Sequence, residues 1–211
     1  MKKLFSNIGL LLAMSLVVVN FTSCKGDDPE EPSGAVTQIK AENVSGDNTR
    51  DVATVKFRGW DTDKKAYDVI VEVPFANNGF TLNLPANPAA KFLVPVWNDV
   101  PEGLTVSNNT TKGVSVERVD AFDKAGNAIG YFLLANIDNA PQKYYDIHWA
   151  YVDKDISITG KVTTSRTTEY NMILKTGWNL VYYVLDGAND TRLFTTQKPS
   201  GVEFKWYYQD L

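Results

Sequence analysis

From Val36 onward, apolar and polar residues alternate at every second position in many short segments. Successive side chains of a β-strand point to opposite faces, so this alternation predicts strands that bury one face. No long window carries apolar residues at the spacing of an amphipathic helix. The chain is therefore predicted to be all-β. The alternation is clearest in segments 55–58, 67–73, 80–84, 114–117, 156–159 and 169–174, and apolar residues at every second position also form one face of segments 178–184 and 202–208.

Residues that favour tight turns separate these segments. Many short strands joined by such turns predict an antiparallel β-sandwich, with a β-barrel as the alternative. One segment, 87–94, is predicted to form a helix of one or two turns, because Pro88 suits a first helical position. The turn-like segments, rich in Asp, Asn and Gly, are 61–64, 77–79, 123–127, 175–177 and 186–190.

The phase of one strand bears on an aromatic residue. Tyr67 alternates in step with Val69, Val71 and Val73, whereas Asp68 lies on the other face. This phase predicts that Tyr67 shares the half-buried face of its strand with the three valines.

The first residues have the layout of an export signal. Lys2 and Lys3 precede an apolar run at 8–19. The run suits a signal peptide and is shorter than the ~20 residues that a bilayer-spanning helix needs. Small residues then precede the cysteine of Phe21-Thr22-Ser23-Cys24. Residues 1–23 are therefore predicted to be a cleaved signal peptide.

The segment Phe21-Thr22-Ser23-Cys24 resembles the lipobox of bacterial lipoproteins, with Phe21 where leucine is commonest. The resemblance implies that Cys24 is acylated by chains such as palmitate and becomes the first residue of the mature protein. Residues 24–35 form an acidic stretch with Pro and Gly, which predicts a flexible tether. The stretch also resembles the export signal of Bacteroidetes surface lipoproteins. It implies display on the outer face of the outer membrane, with the periplasmic face as the alternative.

Residues 36–211 are long enough for one domain with a sizeable core, and a sub-boundary near 139–142 is the alternative. Within this domain, the run Gly79-Phe80-Thr81-Leu82-Asn83-Leu84-Pro85 ends a predicted strand. With the residues before it, from 52 to 85, this run is similar to transthyretin-like and immunoglobulin-like sandwich modules. The resemblance implies a sandwich fold and no activity.

Charge and cysteine usage restrict the partners. The formal net charge is −4, and it becomes −6 once Lys2 and Lys3 leave with the signal peptide. Without a basic cluster, no nucleic-acid partner is predicted. Cys24 is the only cysteine, so the mature domain has no disulfide. The predicted partners are the membrane, through the lipid anchor at Cys24, and a polysaccharide or an outer-membrane protein.

The residues that catalysis commonly needs are scarce. His148 is the only histidine, and neither a Gly-x-Ser-x-Gly motif nor a Gly-rich phosphate loop is present. Aspartates fall mostly in turn-like sequence, where they bond the local backbone. A carboxylate pair for glycoside hydrolysis, or calcium at 61–63 or 153–155, is a weaker interpretation. The sequence predicts no enzyme, no cofactor and no metal.

Tryptophans beside polar side chains are the remaining functional signal. A sugar ring has an apolar face edged by hydroxyl groups, so a glycan site combines an exposed aromatic ring with amide and acidic groups. Trp60 and Trp97 lie at predicted strand ends, where exposure is expected. The candidate ligand-binding residues are Trp60, Trp97, Asn98, Asp99 and Trp149.

Two other tryptophans are predicted to belong to the core. Trp178 and Trp206 lie in phase with Leu180 and Phe204 on predicted strands. The predicted function is a lipid-anchored, non-catalytic surface protein that binds an extracellular ligand such as a glycan. The alternative is a structural or accessory subunit of an outer-membrane assembly.

Overall fold

The structure is a computed structural model that describes residues 36–44, 49–138, 140 and 142–211. The predicted signal peptide, Cys24 and the tether lie outside the described residues, as do residues 139 and 141 of the predicted sub-boundary. The described residues form β-strands and two short 3-10 helices, Thr49–Asp51 and Ala90–Phe92, with no α-helix among them. The all-β prediction is confirmed.

Fifteen strands follow one another along the described chain. They are β1 (Gln38–Ala41), β2 (Thr54–Asp61), β3 (Ala66–Pro74), β4 (Phe80–Asn83), β5 (Val94–Pro95), β6 (Leu104–Val106), β7 (Lys112–Val116), β8 (Val119–Phe122), β9 (Ala128–Asn136), β10 (Lys143–Val152), β11 (Ile156–Thr163), β12 (Thr167–Leu174), β13 (Gly177–Asp186), β14 (Thr191–Thr195) and β15 (Lys205–Asp210).

The strands form one small sheet and one large sheet. Strands β1 and β4 pair alone, and the other 13 form a sheet whose main path runs β3-β2-β8-β9-β10-β13-β14-β12-β11-β6. Strands β15 and β7 add to β9 and β10, and β5 adds to β7. Each pairing is antiparallel except that of β12 with β14.

The large sheet remains open in the described chain. Its path ends at β3 and β6, and these two strands do not pair with each other. The sheet instead folds over and packs against itself and against β1 and β4. The predicted β-sandwich is therefore confirmed, and the barrel alternative is wrong.

Strands β10 and β13 separate two hydrophobic cores. The larger core takes Trp149 and Tyr151 from β10, whereas Ala150 and Val152 from the same strand face the smaller core. Strand β13 divides its side chains in the same way, with Val181 in the smaller core. A strand between two cores has apolar residues on both faces, so it lacks the alternation of a half-exposed strand.

Two indole groups attach the small sheet and the segment after it to the large sheet. The Trp206 Nε1 donates to the carbonyl of Lys40 at 3.0 Å, and the Trp178 Nε1 donates to the carbonyl of Pro85 at 2.8 Å. Both tryptophans are buried. Their prediction as core residues is confirmed.

The helix predicted at 87–94 is wrong in type and extent. The segment contains only the 3-10 turn Ala90–Phe92, and after Leu93 strand β5 begins at Val94. Phe92 is buried in the larger core while Lys91 reaches two carboxylates of the hairpin formed by β2 and β3. These tertiary contacts, rather than a helical face, determine the conformation of so short a segment.

Candidate functional site

A cleft of about 370 Å³ opens over the face of β10 that belongs to the smaller core. Its walls are apolar side chains from β10 to β13, such as Val152, Ile158 and Met172. The exposed rings of Trp60 and Tyr67 also border the cleft. A concave, mostly apolar site with a few polar groups is the usual form of a small-molecule site.

Trp60 and Tyr67 lie directly opposite each other on β2 and β3. The indole is 45% exposed and the phenol ring 60% exposed. Their ring centroids are 5.5 Å apart, with the planes at 85°, an edge-to-face contact. Two large aromatic side chains at this level of exposure make the most prominent apolar surface on the hairpin.

A β-bulge accounts for the exposure of Tyr67. Phe57 pairs with Val71 and the next residue, Arg58, pairs with Val69, so Ile70 has no partner on β2. One extra residue reverses the inward and outward phase beyond it. The predicted half-buried position of Tyr67 is therefore wrong, because the bulge turns its side chain outward beside Trp60.

A buried carboxylate holds the turn that follows Trp60. Asp61 is fully buried, and its Oδ1 accepts hydrogen bonds from the backbone N–H groups of Asp63 and Lys64 at 2.9 and 3.0 Å. The Lys91 Nζ lies 2.9 Å from the other oxygen, Oδ2, in an ion pair that lacks the geometry of a directed hydrogen bond. The backbone N–H of Lys64, together with Lys91, keeps the pKa of Asp61 below its ordinary value.

Lys91 joins this turn to the far strand of the hairpin. Its Nζ also donates to the Asp68 Oδ2 at 2.7 Å, and Lys64 donates to the same oxygen at 2.6 Å. The side chains of Lys64 and Lys91 hold the pKa of Asp68 well below its usual range, and the two carboxylates raise the pKa of Lys91. The ammonium thereby couples the hairpin that carries Trp60 and Tyr67 to the segment at the edge of the cleft.

His148 supplies a polar group to the cleft. It follows Tyr144 and Asp146 at alternate positions of β10, so the three side chains share one face. The Tyr144 hydroxyl donates to Asp146 Oδ2 at 2.8 Å, and the His148 Nε2 lies 2.8 Å from Oδ1. Burial and the neighbouring Asp146 charge raise the pKa of Tyr144. The imidazole stacks on Tyr183 at a centroid distance of 5.7 Å, which holds the ring in place.

A second, charged pocket of about 310 Å³ adjoins the cleft. Tyr67 and Ser115 line both. Asp120 receives a contact from the Arg58 guanidinium at 3.1 Å and from the Arg118 guanidinium at 3.0 Å. Glu117 adds a further carboxylate to the pocket. This pocket therefore contains two guanidinium donors and two carboxylate acceptors of balanced charge.

The structure separates the candidate residues suggested by the sequence. Trp60 lines the cleft. Trp97 is half-buried behind it, with its ring edge-to-face on Tyr170 at 5.9 Å, and its indole Nε1 is buried without a hydrogen-bond partner among the described residues. Asn98 and Asp99 are exposed in the following loop and do not line either pocket.

Trp149 does not offer a face to an external ligand. It is 2% exposed in the larger core and stacks on Trp206 at 5.8 Å. The structure therefore does not bring Trp149 to the cleft, because its side chain lies on the face of β10 that packs into the larger core. Tyr67, Arg58 and Arg118 were not recognised from the sequence. The tight turn after Trp60 is the one signal that could have paired Trp60 with Tyr67.

Comparison with known proteins adds no assignment, because no protein-family model, curated protein or solved structure matches the chain. Within the described part of the chain, no helix has the length and apolar character needed to cross a membrane. The same residues hold no group of three or more His, Cys, Asp or Glu side chains that could bind a metal ion.

Proposed function

We propose that this chain is a lipid-anchored, non-catalytic protein of the cell surface that binds an extracellular glycan between the cleft and the adjoining charged pocket. The observation that carries the proposal is the exposed pair Trp60 and Tyr67: both rings border the apolar cleft, and Tyr67 also borders the pocket of charged donors and acceptors.

The chemistry of sugars supports this use of the site. The C–H groups on one face of a sugar ring pack well against an aromatic ring, and the hydroxyl groups at its edge both donate and accept hydrogen bonds. Tyr67 offers such a ring, and the guanidinium groups of Arg58 and Arg118 can donate at its side. Asp120 and Glu117 can accept.

The proposed location of the protein on the cell surface is supported by the sequence alone. The export signal at 1–23, the lipobox cysteine Cys24 and the acidic stretch at 24–35 favour a lipid anchor in the outer membrane and display on the cell surface. Several acyl chains hold a protein durably, since each buried methylene contributes about 0.8 kcal/mol. A domain anchored in this way can capture a ligand from outside the cell.

Binding to an oligosaccharide array tests the proposal. The full-length, acylated protein in lipid nanodiscs is expected to bind at least one glycan, and Trp60→Ala is expected to weaken that binding by about tenfold. Ile173→Ala is the matched control, because Ile173 is 49% exposed but alternates with the cleft residues Met172 and Leu174 and so lies on the other face of β12.

Two results would contradict the proposal. One is the absence of binding to any glycan, together with co-purification of an outer-membrane protein, which would favour the accessory-subunit function. The other is equal weakening of glycan binding by Trp60→Ala and Ile173→Ala, which would place the binding surface elsewhere.

A further inference from the structure

We infer that the ligand is an amphipathic glycoside, with its sugar in the charged pocket and an apolar aglycone in the cleft. The inference rests on the proposed glycan binding and adds the chemical class of the ligand. Its basis is that the two pockets differ sharply in the groups they present and yet share two residues.

The cleft is suited to an apolar group and not to a sugar. Its deep walls come from the smaller core, where Val152, Ile158 and Leu174 are almost completely buried. A sugar carries a hydroxyl group on nearly every carbon, and each would lose its bonds to water there without finding a protein partner. An apolar group loses no hydrogen bond on entering and is favoured by the hydrophobic effect.

Aromatic side chains make the cleft compatible with a flat aglycone. Tyr170 and Phe194 stack at a centroid distance of 5.4 Å with planes 10° apart, and His148 lies edge-on to Phe194 at 6.0 Å. All three line the cleft. An aromatic aglycone can pack face to edge against such rings, and His148 can exchange one hydrogen bond with an oxygen on it.

The charged pocket is suited to the sugar. Arg58 and Arg118 both contact Asp120, so the fixed charges offset one another within the protein. Glu117 leaves the pocket with as many acidic as basic side chains. A free anion or cation would gain little net attraction, whereas a neutral polyol can donate to the carboxylates and accept from the guanidinium groups.

Tyr67 and Ser115 connect the two halves. Both residues line the cleft and the charged pocket, and Tyr67 is 60% exposed. A glycosidic bond that crosses this border would place the sugar beside Arg118 and the aglycone over Ala150, which pairs with Ser115. Each pocket alone is at the small end of the usual size for a ligand site, about 300–1,000 Å³, and one ligand that spans both would use the two together.

Paired probes test the inference with the full-length, acylated protein in nanodiscs, measured by calorimetry against empty nanodiscs. The probes are 4-methylumbelliferyl glycosides of glucose, galactose, mannose and N-acetylglucosamine, the methyl glycoside of each sugar, and free 4-methylumbelliferone. We expect at least one aryl glycoside to bind about tenfold more tightly than both its methyl glycoside and the free aglycone.

Two variants test which pocket binds the sugar and which binds the aglycone. Glu117→Gln changes an exposed side chain of the charged pocket. It is expected to lower the affinity for the aryl glycosides and for the methyl glycosides by the same factor. Met172→Gln keeps a similar shape in the cleft and is expected to weaken only the aryl glycoside. The probe comparison on the unchanged protein remains decisive if Met172→Gln does not fold.

The outcomes separate this inference from the proposed function. Equal affinity for an aryl glycoside and its methyl glycoside overturns the aglycone assignment and leaves glycan binding intact. Free 4-methylumbelliferone binding as tightly as its glycosides overturns both. Release of fluorescent 4-methylumbelliferone from a bound glycoside also overturns the proposed function, because the protein would then be a hydrolase.

Discussion

Trp60 and Tyr67 face each other across β2 and β3 with ring centroids 5.5 Å apart and planes at 85°. Residues directly opposite in an antiparallel pair have Cβ atoms about 4.5–5.5 Å apart, so the two rings restrict each other's rotamers. Both rings nevertheless remain exposed at the border of the cleft. The pair thus forms an aromatic platform whose orientation is set before any ligand arrives.

Lys91→Met is expected to lower the melting temperature by several degrees. The substitution leaves the buried Asp61 carboxylate without its cation, and removing one partner of a buried pair costs more than removing one at the surface. Thermal unfolding followed by circular dichroism measures the change. Lys64→Met is the matched control, because the Lys64 side chain is exposed and forms its ion pair with Asp68, while its backbone N–H bond to Asp61 is kept in the variant. An equal effect of the two substitutions would show that the buried ion pair does not matter.

Protonation of Asp155 is expected to lower the stability of the folded protein in acid. The backbone N–H of Thr176 and the Lys175 side chain lower the pKa of Asp155 to about 2, from an ordinary value of 3.8. Because the folded pKa is the lower one, the stabilisation is fully present above pH 4 and is lost as the pH falls towards 2. Urea unfolding at a series of pH values is expected to show a shallower acid decline in Asp155→Asn. If the decline in Asp155→Asn matched that of the unchanged protein, Asp155 would be excluded as a source of the acid sensitivity.

Trp178→Phe and Trp97→Phe are expected to change the free energy of unfolding by amounts that differ in sign or in size. The first removes an indole that donates to the Pro85 carbonyl, which we expect to cost about 1–3 kcal/mol. The second removes a buried N–H that has no partner among the described residues, so the loss of packing is offset and stability changes little or rises. Chemical denaturation of both variants measures the difference. Equal destabilisation would mean that ring volume, not hydrogen bonding, determines the cost.

Protease added to intact cells is expected to degrade the protein while a periplasmic marker survives. The expectation follows from the acidic stretch after Cys24, in which Asp27, Asp28, Glu30 and Glu31 resemble a surface-export signal. Replacing these four acids by their amides is expected to protect the protein until lysis, whereas Lys25→Ala leaves it sensitive. Cys24→Ser is expected to release the protein from the membrane fraction. Protection of the unchanged protein would place it on the periplasmic side.

The amino-acid sequence by itself determined the fold class and the positions of the strands that have one buried and one solvent-exposed face. Segment 80–84 alternates cleanly because one side of the strand meets a core and the other meets water, and segment 169–174 does so except at Ile173, which is apolar but 49% exposed. Trp178 and Trp206 were assigned to the core for the same reason. Strand β9 was missed, since Phe132 and Ala135 are buried at positions of opposite phase and the period-two signal is lost.

The tertiary structure alone decided which aromatic residues reach the surface. Trp60 and Trp149 both lie next to polar residues in the sequence, yet Trp60 is 45% exposed and Trp149 is 2% exposed. Trp149 is enclosed because β10 runs between two cores, which depends on pairings far apart in the chain. Tyr67 is exposed because one unpaired residue in β3, Ile70, reverses the phase of the strand. Such long-range pairing and register leave no local pattern, so the site became visible only once the sheets were assembled.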